Sequence, residues 1–149
     1  MKTLFNPADR EALSHRLAAL EPGSPRQWGQ MDAAQMLHHC TIAMEDILGE
    51  REVKQAFLGR LVTPLIRGLI FGEKPFRRGS PTDPLYVVSQ PQDFDVERAR
   101  LATLIDRVVQ RGTAKTEGGV HPFFGRLSGE QWGILGHKHL DHHLRQFGV

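Results

Sequence analysis

Apolar residues recur along this chain at intervals of three and four, the spacing that lines one face of an α-helix. Leu13, Leu17 and Leu20, with Ala12 beside them, form the first such run. It follows Asn6-Pro7, a capping residue and a proline at a position where the helix needs no N–H. Glu21-Pro22-Gly23-Ser24-Pro25 ends it. A second helix is predicted over 32–48, from a capping Asp32 to a terminating Gly49. Met36, His39, Ala43 and Ile47 share one stripe of it, and Asp46, two turns past His39, lies near the same side. The segment 53–71 is helical by period, through Phe57, Leu58, Leu61, Val62, Leu65, Ile66, Leu69 and Ile70. Arg60 and Arg67 share its other side, and Gly59 and Pro64 predict a kink or two shorter helices.

Periodicity then lapses. Pro, Gly, Arg and Ser dominate 72–93, which predicts a long irregular loop over one end of the fold, with Leu85-Tyr86-Val87-Val88 extended. The next helix begins at Asp93 or Asp95 and runs to Arg111-Gly112. Leu101, Leu104, Ile105 and Val108 point inward, and Glu97, Arg98, Arg100, Asp106 and Arg107 outward. After a loop over 113–127, Ser128 and Gln131 form a capping-box pattern, and the last helix runs to Phe147 with Gly148 just beyond. No repeat or low-complexity tract interrupts this order. Four strong helices joined by polar loops predict one all-α domain over 1–149: a four-helix bundle with a long irregular loop before its third core helix.

Charge changes the picture little. Nineteen Lys and Arg against 17 acids leave a formal net charge of +2, spread along the chain. A nucleic-acid binder would concentrate its basic residues into a stripe, so neither nucleic acid nor an acidic membrane is an expected partner. The most apolar stretch, 56–71, is broken by Arg60, Pro64 and Arg67 and is too short to span a bilayer. Cys40 is the single cysteine, so no disulfide forms within the chain. With no apolar leader run after Met1, the expected compartment is the reducing cytoplasm.

Histidine does change it. Four of the eight histidines lie between His137 and His143. His139 and His143 are four apart and His139 and His142 three apart, either spacing letting imidazoles on successive turns converge on one ion. Trp132, Leu135 and Gly136 continue the stripe through His139 to His143, so that face should point inward. His137 falls with Glu130, Ile134 and Asp141 on a more polar side. A third ligand would come from the second helix, as His39 on its apolar stripe or as His38 beside Ala34, Ile42 and Glu45. Three neutral imidazoles leave a coordination position open, and such a site suits zinc, nickel, iron or manganese. The competing reading is of solvated or core histidines satisfied by backbone carbonyls.

Trp28, the run Gln35-Met36-Leu37-His38-His39-Cys40, and the stretch from His121-Pro122-Phe123-Phe124-Gly125 through Trp132 to Lys138-His139-Leu140-Asp141-His142-His143-Leu144-Arg145-Gln146-Phe147-Gly148 resemble the DinB-like superfamily, in its small uncharacterised branch. The resemblance covers essentially the whole chain, the middle from 49 to 93 least. It implies a four-helix bundle and a three-histidine metal site, carried by motif position onto His39, His139 and His143. It also implies homodimers and, among characterised relatives, transferases using low-molecular-weight thiols and maleylpyruvate-type isomerases.

The expected function is therefore a metal-dependent enzyme acting on a small molecule, such as a thiol S-transferase or small hydrolase. Asp46 or Glu45 is the candidate base or orienting partner of His39. Lys74, Arg77 and Arg78 would receive an anionic substrate, and His121 would close over the site. Cys40 reads as a core residue rather than a nucleophile. The alternatives are a non-catalytic metal- or ligand-binding protein of stress response, and an interaction module that dimerises through 57–71.

Overall fold

A computed structural model describes residues 1–80 and 82–149; position 81, within the predicted irregular segment, lies outside the described residues. The protein is mostly helical, with α1 (Pro7–Ala18), α2 (Ala33–Leu48), α3 (Phe57–Ile70), α4 (Phe94–Thr116) and α5 (Gly129–Gln146). A short antiparallel hairpin, β1 (Val120–His121) and β2 (Gly125–Arg126), stands between α4 and α5 and sets His121 opposite Gly125.

The caps lie where side-chain chemistry puts them. Asn6 accepts the Asp9 N–H to open α1. Asp32 with Gln35 and Ser128 with Gln131 close reciprocal capping boxes on α2 and α5. Gly49 ends α2 in the left-handed region at φ 67°, a conformation that favours glycine.

The core lies where α2, α4 and α5 meet, with α1 laid on α5. Leu13 and Leu17 of α1, Met36, Leu37, Cys40, Met44 and Ile47 of α2, Leu101, Leu104, Ile105 and Val108 of α4, and Trp132, Leu135, Leu140 and Leu144 of α5 are all buried. Glycine shapes one part of this packing. A Cβ at Gly133 or Gly136 would run into Thr3, Leu4 or Phe5, so their absence lets residues 3–5 lie along α5. The Leu4 N–H donates to the Gly133 carbonyl at 3.1 Å.

Several expectations are corrected. Glu97, expected outward, is buried against His38, its carboxylate 3.1 Å from Nδ1. His137, expected on a polar side, is buried; the N-terminal segment draped over α5 covers that side as well. Segment 53–56 is not helical, and α3 begins at Phe57. Pro64 sits inside an unbroken α3, on its exposed side, where solvent can reach the carbonyl it frees. Leu85 and Tyr86, expected extended, lie in a 3-10 turn, Pro84–Tyr86, initiated by the Asp83 side chain accepting the Leu85 N–H. The helix expected to end at Gly112 breaks there (φ 70°) but resumes to Thr116. None of the described helices is long and apolar enough to cross a membrane.

α3 is held by polar ties rather than by its apolar face. Phe123 O accepts from Thr63 Oγ1 and Gln55 Nε2, both at 3.1 Å. Arg67 turns inward to Gln131 at 2.9 Å. Lys138 Nζ donates to the carbonyls of Leu69, Ile70 and Gly72 at the C-terminal end. Two glycines of α3 therefore predict opposite outcomes. At Gly59 a Cβ would collide with the Phe123 carbonyl, whereas at Gly68 nothing lies within 4 Å. Gly59→Ala should lower the thermal midpoint, at a cost of about 1–3 kcal/mol. Gly68→Ala should raise it, by roughly 0.5–1 kcal/mol of helix propensity. Circular-dichroism melting of both variants checks the signs.

Candidate metal centre

His39 of α2 and His139 and His143 of α5 each offer one ring nitrogen, and the three lie within 4.8 Å of one another. Capping fixes the phase of each helix, and the stripes Met36–His39–Ile47 and Trp132–Leu135–His139–His143 then turn toward a common interior. The ring centroids stand 4.6–4.8 Å apart.

Second partners decide which nitrogen faces which. His39 Nδ1 lies 2.8 Å from the carbonyl oxygen of Tyr86. A carbonyl only accepts, so Nδ1 carries the proton and Nε2 is left with its lone pair. His143 Nδ1 lies 2.8 Å from Gln146 Oε1, and Gln146 Nε2 donates to the Trp28 carbonyl at 2.8 Å. The Trp28 carbonyl fixes the orientation of the Gln146 amide, and the amide oxygen then fixes the His143 tautomer. Contacts made on the far side leave both histidines with a free Nε2 lone pair, the construction common in imidazole metal sites.

His39 Nε2 and His139 Nε2 are 2.9 Å apart. Two lone pairs cannot meet at that distance, so without an ion His139 donates an Nε2 proton to His39. Its buried Nδ1 then has no partner among the described residues. Bonds of about 2.0–2.1 Å at tetrahedral angles separate ligand nitrogens by roughly 3.3 Å. The spacing is thus close to what a divalent ion needs, and the donor set is three neutral imidazoles. The residues fit such an ion.

Burial keeps them neutral. It pulls His143 down to about 3, with the nearby His39 adding to the effect. His139 is held well below its ordinary value by burial first, then by repulsion from His143, His39, His142 and His121. His39 is lowered by burial against the opposing bond to Tyr86 O. Protons therefore compete little for these ligands near neutral pH.

The remaining candidates take other places. His38 turns to Glu97. His142 packs its ring on Trp28, Phe76 and His143 at 5.0–6.1 Å and is not in the converging set. Asp46, the candidate base or orienting partner, does not touch His39. Its buried carboxylate accepts from Arg51 Nη1 at 3.1 and 3.2 Å and from the Tyr86 hydroxyl, and so reaches His39 only through Tyr86. Burial raises the Asp46 pKa despite the hydroxyl and guanidinium that favour its charged form. Glu45 pairs with Arg100. Cys40 is buried, with its pKa pushed far up by desolvation. Of the loop cations, Arg78 lies over the Trp28 ring at 4.4 Å, and Lys74 and Arg77 are exposed. Tyr86 and the bridging role of Gln146 were missed. Tyr86 lies in an aperiodic loop, where nothing local marks a backbone carbonyl as a partner.

The chain belongs to the family described as a protein of unknown function (DUF1569), whose family model matches residues 4–148. No curated protein and no solved structure matches it.

The buried imidazoles set a pH dependence of stability. His121 and His143, both at about 3 when folded, take up protons near 6.5 once unfolded. Above 6.5 both states are neutral and stability is unaffected. As pH falls from 6.5 toward 3 the unfolded chain binds more protons and stability is lost. Asp46, with its raised pKa, works in the opposite direction and offsets part of the loss. The urea midpoint of the metal-free protein should be flat from pH 8 to about 6.5 and then fall steadily. A midpoint unchanged down to pH 5 would contradict this.

Proposed function

We propose that this member of the DUF1569 family is a divalent-metal-dependent enzyme acting on a small molecule, with His39, His139 and His143 as ligands and a low-molecular-weight thiol as the first substrate class. The reading rests on the convergence of three ring nitrogens within 4.8 Å, two of them oriented by far-side acceptors. Core histidines would need at most the one His39–His139 hydrogen bond between them; the third nitrogen, on His143, turned toward the same point is what favours an ion. The architecture proposed is the DinB-like four-helix bundle, made by α1, α2, α4 and α5 with α3 outside it. The packing of α2 on α4 and α5, and of α1 on α5, supports that assignment. A reducing cytoplasm suits a protein whose one cysteine is buried and free.

Zinc, nickel, iron and manganese are all compatible with three imidazoles. When bound, such an ion supplies Lewis acidity, lowering the pKa of a thiol or water at its open position. The chain's own residues do the rest. Tyr86 O and Gln146 keep two imidazoles in the ligating tautomer, and the Arg51–Asp46–Tyr86 chain fixes that carbonyl in place. Trp28, Phe76 and His142 wall the site on the side of the loop that follows α3.

Metal content of the purified, untagged protein tests the proposal. The expected result is about one equivalent per chain, lost when His139 and His143 are both changed to Ala. Equal content in both proteins, or no uptake after reconstitution with zinc, nickel and manganese, overturns it. One equivalent bound with no turnover of thiol or hydrolysis substrates would instead support a non-catalytic metal-binding protein.

A second reading concerns assembly. Phe57, Leu58, Leu61, Leu65 and Leu69 stand 59–85% exposed along the outer ridge of α3. They form a continuous exposed apolar ridge, and a stable interface buries roughly 800 Å² of each partner. We propose that a second copy covers it in an antiparallel helix pair. Leu65→Asp should convert a dimer to a monomer in light scattering; a wild-type monomer at micromolar concentration would refute this assembly.

A further inference from the structure

His121 is a further aromatic group near the converging imidazoles, outside the ligating set and unused by it. Its Nδ1 accepts two backbone N–H bonds, from Phe123 at 3.0 Å and Phe124 at 3.2 Å, which close the β1–β2 turn. A nitrogen facing two donors cannot carry a proton, so the ring proton must sit on Nε2. Protonating the ring would drive an Nδ1–H into those two N–H groups. The imidazole is therefore held as a neutral donor by the turn it closes. Burial acts the same way, lowering the pKa to about 3.

The ring is also fixed in orientation. It stacks on Tyr86 (6.2 Å, 17° between planes) and packs on Phe124 at 4.5 Å and on Trp132 at 5.6 Å. Two of these neighbours point to the metal centre. Tyr86 supplies the carbonyl that orients His39, and its ring centroid is 6.0 Å from that of His39. Trp132 precedes His139 by two turns on the same stripe of α5. A charge on His121 would be felt at His139, whose pKa it helps to depress. Yet His121 Nε2 has no hydrogen-bond partner among the described residues, and it is not one of the sealed, unsatisfied buried atoms. The residue as a whole is half-buried.

We propose that His121 is a substrate-binding residue, whose Nε2–H donates to the anionic sulfur or oxygen of a substrate held at the three-histidine centre. A neutral imidazole suits this role, because it stabilises negative charge without surrendering its proton to it. The proposal rests on the metal-centre reading above, and its test separates the two.

His121→Asn is the informative variant. Asn Oδ1 takes the place of Nδ1 and still accepts from the turn, while the Nε2–H is lost. Cobalt-loaded protein would be titrated with azide and followed by visible absorbance. The expected result is cobalt uptake within about twofold of wild type and azide affinity lowered about tenfold or more, as for loss of a hydrogen bond to a charged group. Unchanged azide affinity overturns the role of His121 and leaves the metal centre standing. Failure of wild type to take up cobalt overturns both. Should the variant not fold, the zinc-loaded wild type serves. Its His121 Nε2 proton resonance should move downfield on adding azide, and a resonance that does not move overturns the proposal.

Discussion

An imidazole can turn Nε2 toward an ion only if Nδ1 carries the proton, and inside a protein that proton needs an acceptor. Much of what lies around the helices of this protein meets that requirement. His39 stands mid-helix on α2, where neighbouring carbonyls are engaged in the helix, and its acceptor comes from outside as Tyr86 O. The 3-10 turn at Pro84–Tyr86 exists at that place because Asp46, Arg51 and Asp83 hold it there. His143 is served instead by Gln146, one turn on, but a glutamine amide fixes a tautomer only when its own orientation is fixed. The Trp28 carbonyl fixes it. Two segments without regular structure, before α2 and after α3, thus decide the chemistry of two helices.

The buried acid illustrates the same logic. Asp46 would be costly to bury charged and alone. It is paired with Arg51 and bonded to the Tyr86 hydroxyl, and the same Arg51 guanidinium lies over the Tyr86 ring, 5.5 Å from its centroid. The group is remote from His39 in direct contact and coupled to it through one residue. Loss of the carboxylate would leave the hydroxyl and guanidinium unsatisfied and free the turn to shift, so its influence on the ligand is positional.

The convergence of His39, His139 and His143 was legible in the sequence because helices convert spacing into direction. His39, His139 and His143 lie on apolar stripes of well-capped helices, and both the stripes and the caps can be read along the chain. Glu97 and His137 were misread for one reason: burial depends on what packs against a face, and a helical period says nothing about that. The partner of Glu97 is a histidine of another helix. The cover over His137 is an N-terminal segment admitted by glycines at 133 and 136. Tyr86 and Gln146 escaped because their roles belong to a carbonyl and an amide, which carry no periodic signature. Of the candidates in loops, His121 was expected to close over the site. The feature that gives it meaning, two N–H groups aimed at Nδ1, appears once the hairpin has formed.

α3 shows where period and packing disagree. Its apolar ridge has the strongest helical signal in the middle of the chain, yet the ridge faces outward; Ile70 at the end packs on the core, and the other ties to the body of the protein run through Gly59, Thr63, Arg67 and Lys138. A helix that buried its ridge internally would need no such polar anchors. These anchors fix α3 by its polar side and hold the apolar side available. The same anchors join α3 to the hairpin that carries His121 and to Lys138, the residue before His139. α3 is thus tied to the surroundings of the three-histidine cluster by Phe123 O on one side and the Lys138 ammonium on the other.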